Sequence, residues 1–183
     1  MRILLYGAAM LIAAVTVYGG EHAACSLHEQ HMKKGEHESG ARSDAEHGAG
    51  VDHRHDSLGM SHEASRHNFR LYADGGAIEL RATKEGDAET IQAIRDHLSD
   101  VVKQFERGEF TTPQFVHGHA PDGIETMAKR KETIAWKYEE LPDGGRIRIR
   151  TADAVSLAAI HDFLEFQVIE HRTGDTGAIE IEK

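Results

Sequence analysis

The chain has 183 residues, a formal net charge of −10 at pH 7 and one cysteine. That acidic balance argues against nucleic acid or anionic lipid as a partner, and a lone cysteine has no intramolecular disulfide partner. Nine of the fourteen histidines lie between His22 and His67, where no Phe, Tyr or Trp occurs. The side chain most used to hold transition metals is thus concentrated where a core cannot form.

In chain order, residues 1–24 read as an export signal. Arg2 supplies a minimal positive start, Ile3 to Val17 is apolar, and Gly19 and Gly20 follow. The run of about 15 residues is short for a membrane span of ~20. Cys25, preceded by Ala23 and Ala24, resembles the lipid-attachment cysteine of bacterial lipoproteins, although His22 stands where that motif places Leu. The alternative is cleavage after Gly19, with Val17 at the minus-three position and Cys25 left as a thiol in a tail. Both readings put the protein in the periplasm or lipid-anchored in the cell envelope, and membrane contact is expected only through a lipid on Cys25.

Residues 25–65 are rich in His, Glu, Gly, Ala and Ser and bury too little apolar surface to offset chain entropy. The expectation is a disordered tether, with an end-to-end distance of roughly 35 Å for 40 residues. It carries His28-x-x-His31-Met32, His53-x-His55 and Met60-x-His62. Imidazole suits zinc, nickel and copper, and thioether selects cuprous copper, so these residues are candidate ligands for a copper or zinc ion. The competing reading is a solvated low-complexity linker that happens to be His-rich.

From residue 66 to 183 the pattern becomes that of a folded domain. His67 to Tyr72 and Ala77 to Ala82 alternate apolar and polar residues around Asp74-Gly75-Gly76, a hairpin signal. A helix is expected over about 88–107. Ile91, Ile94, Leu98, Val101, Val102 and Phe105 fall at helical spacing, with Asp87 as N-cap and Gly108 as stop. Residues 109–132 read as a connector with one shorter helix near 121–131. The theme then repeats: Ile134, Trp136 and Tyr138 alternate, Asp143-Gly144-Gly145 turns, and Ile147 and Ile149 alternate with Arg146, Arg148 and Arg150. A helix over about 153–171 carries Leu157, Ile160, Leu164 and Val168.

The expected fold class is therefore α+β: two β-hairpin–helix repeats forming a four-stranded antiparallel sheet with helices packed on one face. The other face, with Glu79, Arg81, Lys137 and the three arginines, is expected to be solvated. A domain-swapped dimer exchanging one repeat is the alternative topology.

Among the domain histidines, His97 and His161 flank apolar helix stripes, and His117 and His119 lie in the connector. The sharper expectation is an ordered metal site built from His97, His117 and His161. The plainer one is that each is a core-edge histidine bonded to a backbone carbonyl, since none shows the i, i+4 spacing of a helical metal motif. His171 lies ~15 Å beyond His161 by helix rise, and His67 shares the inward parity of Phe69 and Leu71. Trp136, Tyr138 and Phe105 read as core. Ser61, Ser99 and Ser156 lack a nucleophile-elbow context, and no Walker loop, Rossmann fingerprint or H-E-x-x-H is present.

His67-Asn-Phe69, Gly75-Gly76, Ile94-Arg-Asp-His-Leu98, Phe105-Glu-Arg-Gly-Glu-Phe110, Pro113-Gln-Phe-Val-His117-Gly118 and the His161 to His171 helix resemble a group of small exported bacterial proteins. The resemblance spans about 66–175 and omits the His-rich tail. Members often carry the label aspartate carbamoyltransferase. That enzyme needs two large α/β domains and a Ser-Thr-Arg-Thr phosphate-binding segment, and this chain has neither. The resemblance implies an exported module with histidines at His67, His97, His117, His161 and His171.

The functional expectation is an exported, non-catalytic metal-binding or metal-buffering protein whose partners are metal ions and an envelope protein. The alternative is a small-molecule or protein-binding module with the tail as spacer. An enzyme would require His97, His117 and His161 to leave a coordination position open.

Overall fold

A computed structural model describes residues 50, 51, 53, 54 and 63–182. Strands β1 (Ser65–Tyr72) and β2 (Gly75–Ala82) form the first hairpin, and β3 (Ile134–Leu141) and β4 (Gly144–Thr151) the second. Helix α1 (Ala88–Glu106) follows the first hairpin and α4 (Ala154–Glu170) the second. Between the repeats lie α2 (Thr111–His117), α3 (Ile124–Lys129) and a turn of 3-10 helix (Lys131–Thr133). The class is α+β.

The two repeats meet at β2 and β4, which pair antiparallel with Ile78 opposite Ile147. Matching bonds close the two ends of this seam: Ala82 N–H donates to Asp143 O at 2.8 Å, and Thr151 N–H to Asp74 O at 2.9 Å. The glycines expected to form the turns instead open β2 and β4, and the turns are Ala73-Asp74 and Pro142-Asp143. Close approach explains their position. A Cβ on Gly75 would sit 2.1 Å from Ile149 O, and one on Gly144 would sit 2.0 Å from Leu80 O.

Both long helices cover the same sheet face, and each lies chiefly over the other repeat's hairpin: α1 on β3 and β4, α4 on β1 and β2. Leu98 of α1 reaches Gly145, and Leu164 of α4 reaches Gly76. Each helix starts at an aspartate. Asp87 accepts from Thr90 N–H at 3.2 Å and Asp153 from Ser156 N–H at 2.8 Å, satisfying donors that have no intrahelical partner. Leu80, Ile94, Leu98, Ile147, Ile149, Ile160 and Leu164 form the centre of the core.

Several expectations require correction. The sheet has five strands in the order β3-β4-β2-β1-β5, and β5 (Ile179–Glu180) runs parallel to β1 beside Leu71 and Tyr72. The short connector helix is two helices. Pro113 lies in the first turn of α2, where no N–H is needed, and Gly118 at φ 75° ends that helix. The inward stripe of α4 comprises Ser156, Ala159, Ile160, Phe163, Leu164 and Gln167, one step from the expected phase.

The arginine face is not a simple solvated surface. Arg148 is 1% exposed and Glu79 5%, because ion pairs surround them: Arg148 meets Asp74 and Glu182, and Glu79 meets Arg70, Arg81 and Arg146. Glu182 accepts from Arg148 Nε and Nη2, both at 3.0 Å, and Glu180 accepts from Arg70 at 2.8 Å. The Arg148 guanidinium also lies 4.6 Å from the Tyr72 ring centroid. Part of the expected tether is structured too. Gly50, Val51, His53 and Arg54 are helical, Val51 is 1% exposed, and Arg54 donates to Val116 O at 2.7 Å.

A histidine-lined cavity as the candidate functional site

The helices leave a cavity against β1, β2 and the α2 segment. Its volume is about 60 Å³, room for a few waters at ~10–15 Å³ each. Its polar lining is His67, His97, Thr112, His117, Gln167 and His171; its apolar lining includes Phe69, Leu80, Leu98, Phe105 and Phe163. Among the described residues, no Lys, Arg, Asp or Glu lines it.

Each histidine arrives by a different local rule. His67 faces the helices because it shares strand parity with Phe69 and Leu71, and it is 7% exposed. His97 precedes the buried Leu98 on α1. Burial pushes its pKa down, and the nearby Asp100 carboxylate only partly opposes this. His117 is the last residue of α2 and is 2% exposed. Its Nε2 donates to Gln167 Oε1 at 2.9 Å, and its Nδ1 lies 3.7 Å from Glu170 Oε2. His171 caps the C-terminus of α4, its N–H donating to Gln167 O.

Three rings meet here. His171 stacks on His67 with centroids 4.8 Å apart and planes at 22°. It meets His117 edge-on, at 5.0 Å and 88°. Phe69 lies 5.3 Å from His171, and Phe166 lies 5.0 Å from His117. The exposed His119 stands at 6.4 Å from the His117 ring, its Nδ1 3.0 Å from His117 O.

The expected grouping of His97, His117 and His161 is therefore only partly assembled. His97 and His117 share the cavity, whereas His161 is engaged elsewhere: its Nε2 lies 2.9 Å from Tyr72 O and 3.0 Å from Gly75 O. There it secures the first hairpin to α4, which is the plainer of the two readings of this residue. His53 is exposed. His28, His31, Met32, His55, Met60, His62 and Cys25 lie outside the described residues, as do 1–24.

The sequence reading missed His67 and His171 as cavity partners of His117. The available signal was the phase of α4. Taken from Phe163, the inward stripe continues through Gln167 to His171, one turn later. Among the described residues, no three His, Cys, Asp or Glu side chains already stand in positions to hold a metal ion. Neutral donors and apolar walls suit a small ligand of low charge or a metal ion taken by imidazole. No family model matches the chain, nor does a curated protein or a solved structure.

Proposed function

We propose that this is an exported, non-catalytic metal-binding or metal-buffering protein of the bacterial envelope, with copper or zinc as its cargo. The supporting observation is that imidazole is concentrated twice. Nine of the fourteen histidines lie between His22 and His67. In the folded domain, His67, His97, His117 and His171 line one cavity although they come from four separate elements or their ends. In this reading the tail captures exchangeable ions and the domain retains them or presents them to an envelope partner.

A second reading, a small-molecule-binding module with the tail as spacer, draws support from the apolar cavity walls and from a lining that carries no charged side chain among the described residues. Equilibrium dialysis against copper and zinc separates the two. The full chain should retain metal, and a chain lacking 26–49 should retain clearly less. The deletion stops there because Val51 is buried and Arg54 is bonded to α2. No retention above background by the full chain would remove the metal reading and leave the small-molecule one.

A further inference from the structure

We propose that His67, His117 and His171 close around a single transition-metal ion, forming a three-imidazole site separate from the tail. This rests on the metal-binding reading above. The geometry favours this trio over the one expected from sequence. An ion bound to an imidazole nitrogen at 2.0–2.1 Å lies about 3.2 Å from the ring centroid. Two imidazoles in tetrahedral arrangement on one ion then have centroids about 5.2 Å apart. The observed separations are 4.8 Å for His67–His171 and 5.0 Å for His117–His171. Two of the three ring pairs thus already stand at the spacing that shared ligation requires. Closing the site also brings His67 towards His117 and turns the three rings towards a common point.

A second feature concerns His117 alone. Gln167, which lines the cavity, sits on its Nε2, so Nε2 is the cavity-facing nitrogen. The Glu170 carboxylate stands 3.7 Å away on the opposite nitrogen, Nδ1, and does not line the cavity. This is the outer-shell arrangement that orients a ligating histidine: metal on one nitrogen, carboxylate on the other. On ligation the ring proton is transferred from Nε2 to Nδ1, Gln167 is released, and the new Nδ1–H donates to Glu170. The carboxylate also offsets part of the ion's charge in a cavity whose described lining carries no charged side chain. Three neutral nitrogen donors with apolar walls suit zinc or copper and are ill suited to calcium or magnesium, which take oxygen. His97 lines the same cavity and is the candidate fourth donor.

Thermal unfolding of the full chain with zinc tests this. A site that exists only in the folded state raises Tm, whereas tail ligands that remain available after unfolding do not. At a hundredfold excess over Kd the rise should be roughly 5–10 °C. His171→Phe keeps a ring in the stack and should abolish the rise. His161→Asn should retain it, because His161 is outside the cavity. No zinc-dependent rise in the parent chain, or an undiminished rise in His171→Phe, would overturn the proposal. Metal retention by the tail in dialysis would survive either result, so the two claims fail separately. Should His171→Phe not unfold cooperatively, His67→Phe replaces it in the same comparison. Cobalt(II) bound to the parent chain gives a further readout: the intense visible bands of a tetrahedral nitrogen site are expected, and a purely octahedral spectrum would refute the site.

Discussion

Replacing Gly144 by Ala tests the seam between the two repeats, because β2 and β4 come together at this residue. The added Cβ would lie 2.0 Å from Leu80 O and 3.0 Å from Arg81 Cα. An ordinary carbon–oxygen contact needs over 3 Å, so the strands must part by about 1 Å. That separation stretches the 2.8 Å bond from Ala82 N–H to Asp143 O beyond useful length. Overpacking costs about 1–3 kcal/mol and a lost hydrogen bond about 1 kcal/mol. The expected loss is therefore about 2–4 kcal/mol out of a typical 5–15 kcal/mol. Urea denaturation of Gly144→Ala should show a midpoint lower by roughly 1–2 M. Gly86→Ala is the comparison: Gly86 has φ 74° and open space around it, so only backbone strain of about 1 kcal/mol applies. Gly75→Ala, at the equivalent place in the other repeat, should be at least as damaging as Gly144→Ala. If Gly144→Ala were no worse than Gly86→Ala, the close-approach account of the seam would be refuted.

Two further predictions concern pH. Arg130 and the Ser156 N–H hold Asp153 at about 2, from an ordinary 3.8, and Arg148 holds Glu182 at about 2, from 4.5. Both folded-state values lie below the unfolded ones, so this stability is complete above about pH 5 and is lost as pH falls towards 2. Glu182→Gln should flatten part of that decline in urea midpoints taken at about pH 5.5 and about pH 3; an unchanged slope would show that the C-terminal strand does not hold Arg148 in solution. His97 is a base whose pKa is lowered by burial. The unfolded chain therefore takes up a proton first as pH falls through ~6.5, and the folded state loses stability from there downward. In metal-free protein, His97→Leu should lose less Tm than the parent between about pH 7.5 and about pH 5.5; equal losses would mean that partial burial does not hold the His97 pKa down.

The hairpins, the long helices, their aspartate caps and the repeat were all legible because each is a local pattern. Strand parity placed His67, Phe69 and Leu71 on one side, and helical spacing placed Ile94, Leu98 and Phe105 together. The α4 stripe was harder to phase because Leu157 and Val168, half-buried, compete with Phe163 and Gln167 as markers of the inward face. That phase left His161 a candidate ligand, although its ring reaches the carbonyls of Tyr72 and Gly75. His171 was set apart from it by ~15 Å of helix rise.

By itself, then, the amino-acid order determined the two hairpins, the two long helices, the internal duplication and the uneven distribution of histidine. Only the tertiary structure decided which histidines meet. His67, His117 and His171 lie on a strand, at the end of a connector helix and at the cap of the last helix. Their ring distances depend on how α2 and α4 seat against β1, and no short-range periodicity encodes that. The same holds for Arg148, whose alternation with Ile147 and Ile149 marks it as outward-facing. Its burial comes from Glu182 and Asp74, brought from distant parts of the chain by the closing strand and the first turn. Local rules fix the direction in which a side chain leaves the backbone, whereas its surroundings depend on segments joined only by packing.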